Sequence, residues 1–422
     1  MTAVMKRRIA LPTAVLVALV VSGCRNTPSS TSASSPGTAS SPASTAPAPP
    51  AYDPPHRFSD TTVSVGSGPV ALADGVAYSY TDTSLVATAL AIGSRRWSVP
   101  LPGASALITG PMNRDQPPTP GIVTDSAGGR LVVAAYPVTI TGSGTQQDKD
   151  QIQVVAVDSA GQVRWRQTIA IPALLPRVVG GMRGARGSAV VIDGGNETAV
   201  LDASTGATWW TTPHVKPVGV DDDVVIGVQS TDYGGTWKGI GLRGSDGTQT
   251  WNVGFGSTAV RTQPPTLVIA GTGRAIVIAI GKITLIDTVT GKTVTTLAHP
   301  HTAMVSFGFN GCQFDDGSTV VCWETQGQGD PPAAVAGFDS RDGRQLWIVT
   351  NQDPNRTPVT VTCAYHGVIY GSAQHGPVEV DARTGNDIVD SPGLAPTQVT
   401  PGWGLVTDLT SPHLTTAYRA IS

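Results

Sequence analysis

The feature that most constrains this chain of 422 residues is an internal repeat. In each copy an apolar segment ends near an Asp, a short turn closes on a Gly, and a Trp follows that Gly by four residues. Four nearly intact copies have their Trp at 165, 210, 251 and 347. A recurring period of about 40–50 residues predicts an architecture in which one supersecondary unit is stacked many times.

Three further copies are less complete. Trp97 belongs to an abbreviated copy, and two others have Thr295 and Val389 where the Trp would stand. Most spacings between these seven positions are 41 to 52 residues, and the single gap of 68 residues indicates an insertion. Each spacing accommodates four short strands with tight turns, so the repeat predicts seven blades of a β-propeller.

The residue types of the repeat suit a structural role. Gly allows the positive φ of a tight turn, Asp accepts hydrogen bonds from nearby backbone amides, and Trp fills the wedge between neighbouring blades. The repeat residues to which we assign this role are Trp97, Asp158, Trp165, Asp202, Trp210, Trp251, Asp287, Asp339, Trp347 and Asp381.

An eighth blade is predicted from the two ends of the repeat region. Three strand-like segments follow the seventh copy, at Thr397–Pro401, Trp403–Leu409 and Leu414–Ile421, and Arg57–Val65 supplies a fourth. Closing the ring in this way removes the open sheet edges that would otherwise promote aggregation. The predicted fold is therefore an all-β, eight-bladed β-propeller closed by an N-terminal strand.

The N-terminus has the pattern of an export signal. The basic residues Lys6, Arg7 and Arg8 precede an apolar run from Ile9 to Val21, which is shorter than the roughly 20 residues of a membrane-spanning helix. Val-Ser-Gly then leads to Cys24, as in a bacterial lipobox. We expect Cys24 to be acylated, which anchors the protein stably. An ordinary secretory signal with a chance cysteine is the alternative.

Residues 25–50 are almost all Ser, Thr, Ala, Pro or Gly, a composition that does not fold. The predicted organisation is a lipoprotein signal peptide at 1–23, the lipidated Cys24 with a disordered linker to residue 56, and the propeller at 57–422. This places the protein on the extracytoplasmic face of a cell membrane. Arg outnumbers Lys 21 to 6, which indicates a high-GC genome and fits an actinobacterial source.

Charge argues against nucleic acid as a partner. Without residues 1–23 the chain keeps 24 basic and 30 acidic residues, a net charge of −6. A protein that binds phosphate backbones needs a basic surface instead. The membrane, through the lipid anchor, and an envelope protein or cell-wall component are the expected partners, and a monomer is the expected state.

The recurring Asp-x-x-Thr-Gly-x-x-x-Trp pattern resembles the pyrroloquinoline-quinone-like propeller superfamily. That superfamily includes quinone-dependent alcohol dehydrogenases and the outer-membrane assembly lipoprotein BamB, and the resemblance runs from about residue 57 to the end. For the dehydrogenases it implies a calcium or lanthanide ion beside the quinone, and often a disulfide between adjacent cysteines. No two cysteines are adjacent here, and the blades are near minimal in length. We therefore expect no quinone, no calcium and no catalytic residues.

Three cysteines remain for disulfide pairing once Cys24 is assigned to the lipid. Cys312 and Cys322 flank a hairpin turn that places them opposite each other, which favours a disulfide between them. Pairing of either one with Cys363 stays open on sequence grounds.

Four insertions distinguish this chain from a minimal propeller. They are Gly103–Pro120, Thr141–Gln151, Gln229–Lys238 and Glu324–Pro332, and all belong to connections that emerge on one face. Functional loops commonly extend from a rigid scaffold in this manner, although neutral loop drift gives the same pattern.

If that face binds a partner, Tyr233 and Trp237 are the candidate anchors, because exposed aromatic residues dominate interface energetics. Arg114, Asp148, Glu324 and Asp330 would form the polar rim. Trp237 could instead lie against its own blade.

The expected function is that of a non-catalytic binding or scaffold propeller. A quinone- or metal-dependent oxidoreductase and a sensor of small ligands or glycans are the alternatives.

Overall fold

The computed structural model describes residues 52–81, 83–103, 119–146, 149–170, 181–186, 188–194, 197–230, 236–257, 266–279, 282–298, 311–325, 332–389, 392–408 and 414–422. The predicted signal peptide, Cys24 and the linker up to residue 51 lie outside these ranges. Within them, no helix is long and apolar enough to cross a membrane.

Regular structure in the described residues consists of short antiparallel strands. Their bounds are β1 Phe58–Ala73, β2 Val76–Tyr80, β3 Ser84–Ala89, β4 Ser94–Pro100, β5 Gly121–Thr124, β6 Arg130–Ile140, β7 Lys149–Asp158, β8 Val163–Ala170, β9 Gly181–Arg186, β10 Ala189–Asp193, β11 Glu197–Asp202, β12 Thr208–Pro213, β13 Val215–Asp221, β14 Val224–Ser230, β15 Thr236–Arg243, β16 Gln249–Ser257, β17 Thr266–Ile269, β18 Arg274–Ala279, β19 Lys282–Asp287, β20 Thr293–Ala298, β21 Gly311–Phe314, β22 Thr319–Thr325, β23 Pro332–Asp339, β24 Gln345–Thr350, β25 Thr360–Tyr365, β26 Val368–Ala373, β27 Gly376–Asp381, β28 Asp387–Val389, β29 Gln398–Thr400, β30 Trp403–Thr407 and β31 Leu414–Ala420.

These strands form the eight blades of a propeller. Six blades are separate four-stranded meanders, from β5–β8 (blade two) to β25–β28 (blade seven). Blades one and eight share the long strand β1, whose first half pairs with β31 and whose second half pairs with β2. Blade eight thus takes three strands from the C-terminal end and one from the N-terminal end, as the sequence predicted.

A glycine allows β1 to serve two blades. Gly66 has a φ of +118°, and a Cβ at this position would lie 2.7 Å from the Ser79 Oγ. The Ser79 hydroxyl donates a hydrogen bond to the Val65 carbonyl, and the pairing register shifts around this point. The strand therefore bends from one blade into the next without a loop.

The hydrophobic core is divided among the joints between blades. Each of the eight joints holds one cluster of buried apolar side chains, for example Tyr80, Leu85 and Tyr136 between blades one and two. Because each blade has apolar residues on both of its faces, burial requires a neighbour on each side. Closure of the ring thus completes the last joint, between blades seven and eight.

The folded part begins earlier than the predicted linker boundary at residue 56. The Tyr52 carbonyl accepts a hydrogen bond from the Gly402 amide, and the Pro55 carbonyl accepts one from the Tyr370 hydroxyl at 2.7 Å. His56 lies 2.7 Å from the carboxylate of Glu379. Composition alone did not reveal these contacts, because the partner residues are more than 300 positions away.

Candidate functional site

The two faces of the ring differ in the connections they carry. First-to-second and third-to-fourth strand turns lie on one side, which we call the tight-turn face. Second-to-third strand loops and the connections between blades lie on the other, which we call the elaborated face. All four insertions noted in the sequence belong to the elaborated face.

The repeat tryptophans join five of the blades to the blade that follows, on the tight-turn face. The Trp165 ring lies against Gly206 in blade three, where a Cβ would stand only 2.5 Å from the indole. The indole Nε1 groups donate hydrogen bonds to carbonyls of the following blade: Trp97 to Ser159 (3.2 Å), Trp165 to Ala203 (2.8 Å), Trp210 to Gly244 (2.7 Å), Trp251 to Thr288 (2.6 Å) and Trp347 to Ala382 (2.8 Å). The side chains of these five tryptophans therefore serve the contacts between blades.

The repeat aspartates organise the turns that receive those tryptophans. The Asp158 carboxylate accepts hydrogen bonds from the amides of Ala160 and Gln162 at 3.0 and 2.9 Å. Asp202, Asp287, Asp339 and Asp381 accept corresponding amide hydrogen bonds in their own turns. Each carboxylate thereby satisfies backbone donors that the turn would otherwise leave without acceptors.

Most residues predicted for the binding surface lie outside the described part of the chain. This is the case for Arg114, Asp148, Tyr233 and Asp330. The other two predicted residues, Glu324 and Trp237, lie within strands. Glu324 is buried, with 8% exposure, because it lies inside β22 opposite Ala334 rather than in a loop. The prediction that Glu324 belongs to an exposed polar rim is therefore wrong.

Trp237 also lies in a strand, near the beginning of β15. It packs against the hydrophobic cluster of blades four and five, which includes Val228 and Phe255. Its indole Nε1 is buried and has no hydrogen-bond partner among the described residues. The side chain thus lies against its own blade, the second of the two placements considered for it.

The described part of the elaborated face has a projecting hairpin in blade two. Its strands β6 and β7 are 11 and 10 residues long, compared with 4 residues for β5. Ile140, where β6 ends, is 48% exposed, and the following residues 141–146 are on the surface. An exposed Ile at the tip of a rigid hairpin is suited to contact another molecule.

The predicted disulfide between Cys312 and Cys322 is confirmed. The two residues lie directly opposite each other in β21 and β22, with their Cα atoms 4.1 Å apart. Cys363 is free and buried, and desolvation raises the pKa of its thiol to about 11. The alternative pairings with Cys363 are not adopted.

The chain enters the propeller on the tight-turn face, beside the first turn of blade seven. The Asp53 carboxylate lies 2.6 Å from His366 Nδ1, and the His366 ring stacks on Tyr365 with a centroid distance of 3.9 Å. Glu379, which contacts His56, is fully buried, and desolvation raises the pKa of its carboxyl despite the opposing effect of His56. Residues 52–56 are therefore held by hydrogen-bond contacts.

A cleft of about 760 Å³ opens on the tight-turn face between blades five and six. Its lining includes Ile269, Ala270, Phe314, Asp316, Ser340 and Arg341. The sequence analysis did not identify this cleft. The one sequence feature that distinguishes this joint is Ala270, which stands at the turn position where blades two and six have Asp125 and Asp315.

Among the described residues, no group of three or more His, Cys, Asp or Glu side chains is arranged to hold a metal ion.

Comparison with known proteins gives one family match. Residues 150–306, from the third strand of blade two to the connection after blade five, match the family described as outer membrane protein assembly factor BamB. The match covers less than half of the chain. No curated protein sequence matches the chain significantly.

Two solved structures illustrate the structural likeness. BamB from Moraxella catarrhalis is 16% identical, with a TM-score of 0.49, and the alignment covers 85% of this chain and 100% of that one. Quinohemoprotein alcohol dehydrogenase from Comamonas testosteroni is 15% identical, with a TM-score of 0.47, over 88% of this chain and 76% of that one. The repeat and the eight blades identify the chain as an eight-bladed β-propeller, of which residues 150–306 are similar in sequence to the BamB family.

Proposed function

We propose that this protein is a lipid-anchored binding propeller, which engages an envelope protein or cell-wall component through its elaborated face and catalyses no reaction. The family match to an outer-membrane assembly factor supports a binding role. The lipobox at Cys24 supports the anchor and the extracytoplasmic location.

The observation that carries the choice of face is the entry point of the chain. Tyr52 and Asp53 are bound to the first turns of blades eight and seven, on the tight-turn face. A tether attached there leaves the opposite face unobstructed. The 27 residues from 25 to 51, if flexible, would span about 30 Å, which keeps the propeller near the membrane.

The contact itself is assigned to the tip of the blade-two hairpin. Ile140 offers apolar surface on a hairpin whose base is fixed by the buried residues Tyr136 and Ile152. A preorganised contact loses little conformational entropy on binding. Tyr233, in the insertion of blade four, is the second proposed anchor.

The anchor is tested by metabolic labelling with an alkyne-bearing palmitate analogue. The wild-type protein is expected to incorporate the label and to fractionate with membranes. Cys24→Ser is expected to lose both properties, whereas the internal control Cys363→Ser keeps both. A labelled Cys24→Ser protein would contradict the anchoring proposal.

The binding face is tested by affinity purification from native membranes after brief crosslinking. Ile140→Asp places a charge on the elaborated face. Ile92→Asp, at a side chain that is 76% exposed in a third-to-fourth strand turn, places the same charge on the tight-turn face. A partner retained with Ile92→Asp and lost with Ile140→Asp supports the proposal. Equal loss from both variants, or equal retention, contradicts it.

A further inference from the structure

The cleft between blades five and six lies at a joint where the first turn of blade five, residues 270–273, has no acidic side chain that could reach the next blade. At the preceding joint, between blades four and five, Asp221 Oδ2 accepts hydrogen bonds from the Gly273 amide at 2.7 Å and the Thr288 hydroxyl at 2.6 Å. Asp221 is buried, with 1% exposure, although its sequence position at a tight turn favours a solvated side chain. The contact connects the first turn of one blade to the turns of the next.

Blade five lacks the acceptor for an equivalent contact. Ala270 follows its first strand, and its methyl group cannot accept a hydrogen bond. Ser340 in blade six occupies the place that Thr288 has in blade five, directly after the repeat Asp. Both Ala270 and Ser340 line the cleft. The joint between blades four and five thus has a side-chain contact at the place where the joint between blades five and six has the cleft.

The walls of the cleft combine apolar and polar groups. Ile269 and Phe314 provide apolar surface, with Ala270 buried behind them, and the Phe314 ring packs on the first turn of blade five, where a Cβ on Gly271 would lie 2.9 Å from it. Asp316 provides a carboxyl acceptor, and Arg341 provides guanidinium donors on an exposed side chain. A volume of about 760 Å³ falls within the range of about 300–1,000 Å³ typical of small-molecule sites.

The charges of the cleft favour a ligand without net charge. Arg274 is already paired with Asp287, with a distance of 2.7 Å between Nη1 and Oδ2. The remaining charged side chains of the cleft, Arg341 and Asp316, have opposite signs. The cleft therefore does not attract an anion or a cation preferentially. Planar donors and acceptors beside an apolar wall instead match a molecule that has many hydroxyl groups on a partly apolar ring.

We propose that this cleft binds a short neutral oligosaccharide of the cell envelope, with Arg341 and Asp316 hydrogen-bonding to its hydroxyl groups. The site lies on the tight-turn face, separate from the elaborated face, and it rests on the proposed function only for the extracytoplasmic location of its ligand. A single molecule could accordingly contact a glycan and a protein partner on opposite faces.

Isothermal titration calorimetry on the full-length lipidated protein in detergent tests the proposal. The probes are three neutral tetrasaccharides, namely chitotetraose, cellotetraose and maltotetraose. We expect at least one to bind saturably to the wild-type protein. Arg341→Ala and Asp316→Asn are each expected to weaken that binding by about tenfold, the loss that one good hydrogen bond to a charged group produces.

Matched variants separate the cleft from general effects on the fold. Arg243 is also an exposed arginine of a third-to-fourth strand turn, in blade four, where it pairs with Asp246 at 3.0 Å and does not line the cleft. Arg243→Ala is expected to change saccharide affinity by less than about twofold. Thr272→Trp, at an exposed position of the cleft lining, places a bulky ring in the cleft and is expected to weaken binding by more than about tenfold while the melting temperature stays close to that of the wild type. Absence of binding by all three probes, or equal affinity of the wild type and Arg341→Ala, would overturn the proposal.

Discussion

The Trp165 indole of blade two donates a 2.8 Å hydrogen bond to the Ala203 carbonyl of blade three. This contact is repeated at four other joints, and it connects a residue identified from sequence periodicity to the assembly of the ring. Because Trp165 is only 8% exposed, it contributes both apolar burial and a satisfied donor.

Truncation of this tryptophan tests the energetic role of the repeat. Trp165→Ala is expected to lower the free energy of unfolding by about 3–5 kcal/mol, since it leaves a cavity at a blade joint. Trp165→Phe keeps most of the apolar surface and should cost about 1 kcal/mol for the lost hydrogen bond. Urea denaturation followed by tryptophan fluorescence and circular dichroism measures both changes. Val163→Ala, at a side chain that is 41% exposed, is the control and should change stability by less than about 0.5 kcal/mol.

Asp287 predicts a dependence of stability on acid pH. Its carboxylate accepts hydrogen bonds from the amide and hydroxyl of Thr290 and pairs with Arg274. Burial alone would raise the pKa of Asp287, but these contacts outweigh burial and hold the pKa below its ordinary value of 3.8. The stabilisation is therefore present above pH 3.8 and is lost as the pH falls through the lower folded-state value.

Asp287→Ala should accordingly reduce stability at neutral pH by about 1–3 kcal/mol, with a smaller difference from the wild type in acid. Thermal denaturation over a pH series measures this difference. Asp60→Ala, which removes an exposed carboxylate, is the control for the loss of one acidic side chain. A deficit in Asp287→Ala that stays constant down to the lowest pH would contradict the assigned role.

For Glu379 we expect the opposite dependence of stability on pH, with a contribution that is larger in acid. Desolvation raises the pKa of its carboxyl above the ordinary value of 4.5, and His56 opposes that effect only in part. The folded state therefore binds the proton more tightly than the unfolded state, so the contribution of Glu379 to stability falls as the pH rises through the raised value. Glu379→Gln keeps an acceptor for His56 and removes the titration. The stability of Glu379→Gln relative to the wild type should increase from acid to neutral pH. A decrease in this relative stability would show that the pKa of Glu379 is not raised in the folded protein.

Cys363 predicts slow thiol chemistry in the native protein. With a pKa of about 11 and a buried side chain, the thiol should not react with an aromatic disulfide reagent at about pH 8. In the Cys24→Ser background, one thiol should appear only after denaturation, because Cys312 and Cys322 remain paired. Reaction of the folded protein within minutes would contradict the placement of Cys363, and Cys363→Ser should give no reaction in either state.

The sequence predicted those parts of the fold that depend on local pattern. Trp165 and its equivalents revealed the blades because the turn chemistry recurs at a fixed period, and the Cys312–Cys322 pair followed from the register of a single hairpin. The anchoring of residues 52–56 was not predicted, because Glu379 and Tyr370 are distant in sequence. The cleft was also missed, because its lining comes from turns of two blades that are distant in sequence. Glu324 and Trp237 were assigned to loops, but the flanking strands extend further than minimal blades require.

The most direct test of the central claim, that the elaborated face is the binding surface, is site-specific photocrosslinking in living cells. A benzophenone amino acid replaces Ile140 on the elaborated face or Ile92 on the tight-turn face, and both side chains are exposed. The account predicts one discrete crosslinked product, identifiable by mass spectrometry, from position 140 and not from position 92. A discrete product from position 92 alone, or none from position 140 under conditions in which the protein is folded and membrane-bound, would contradict it.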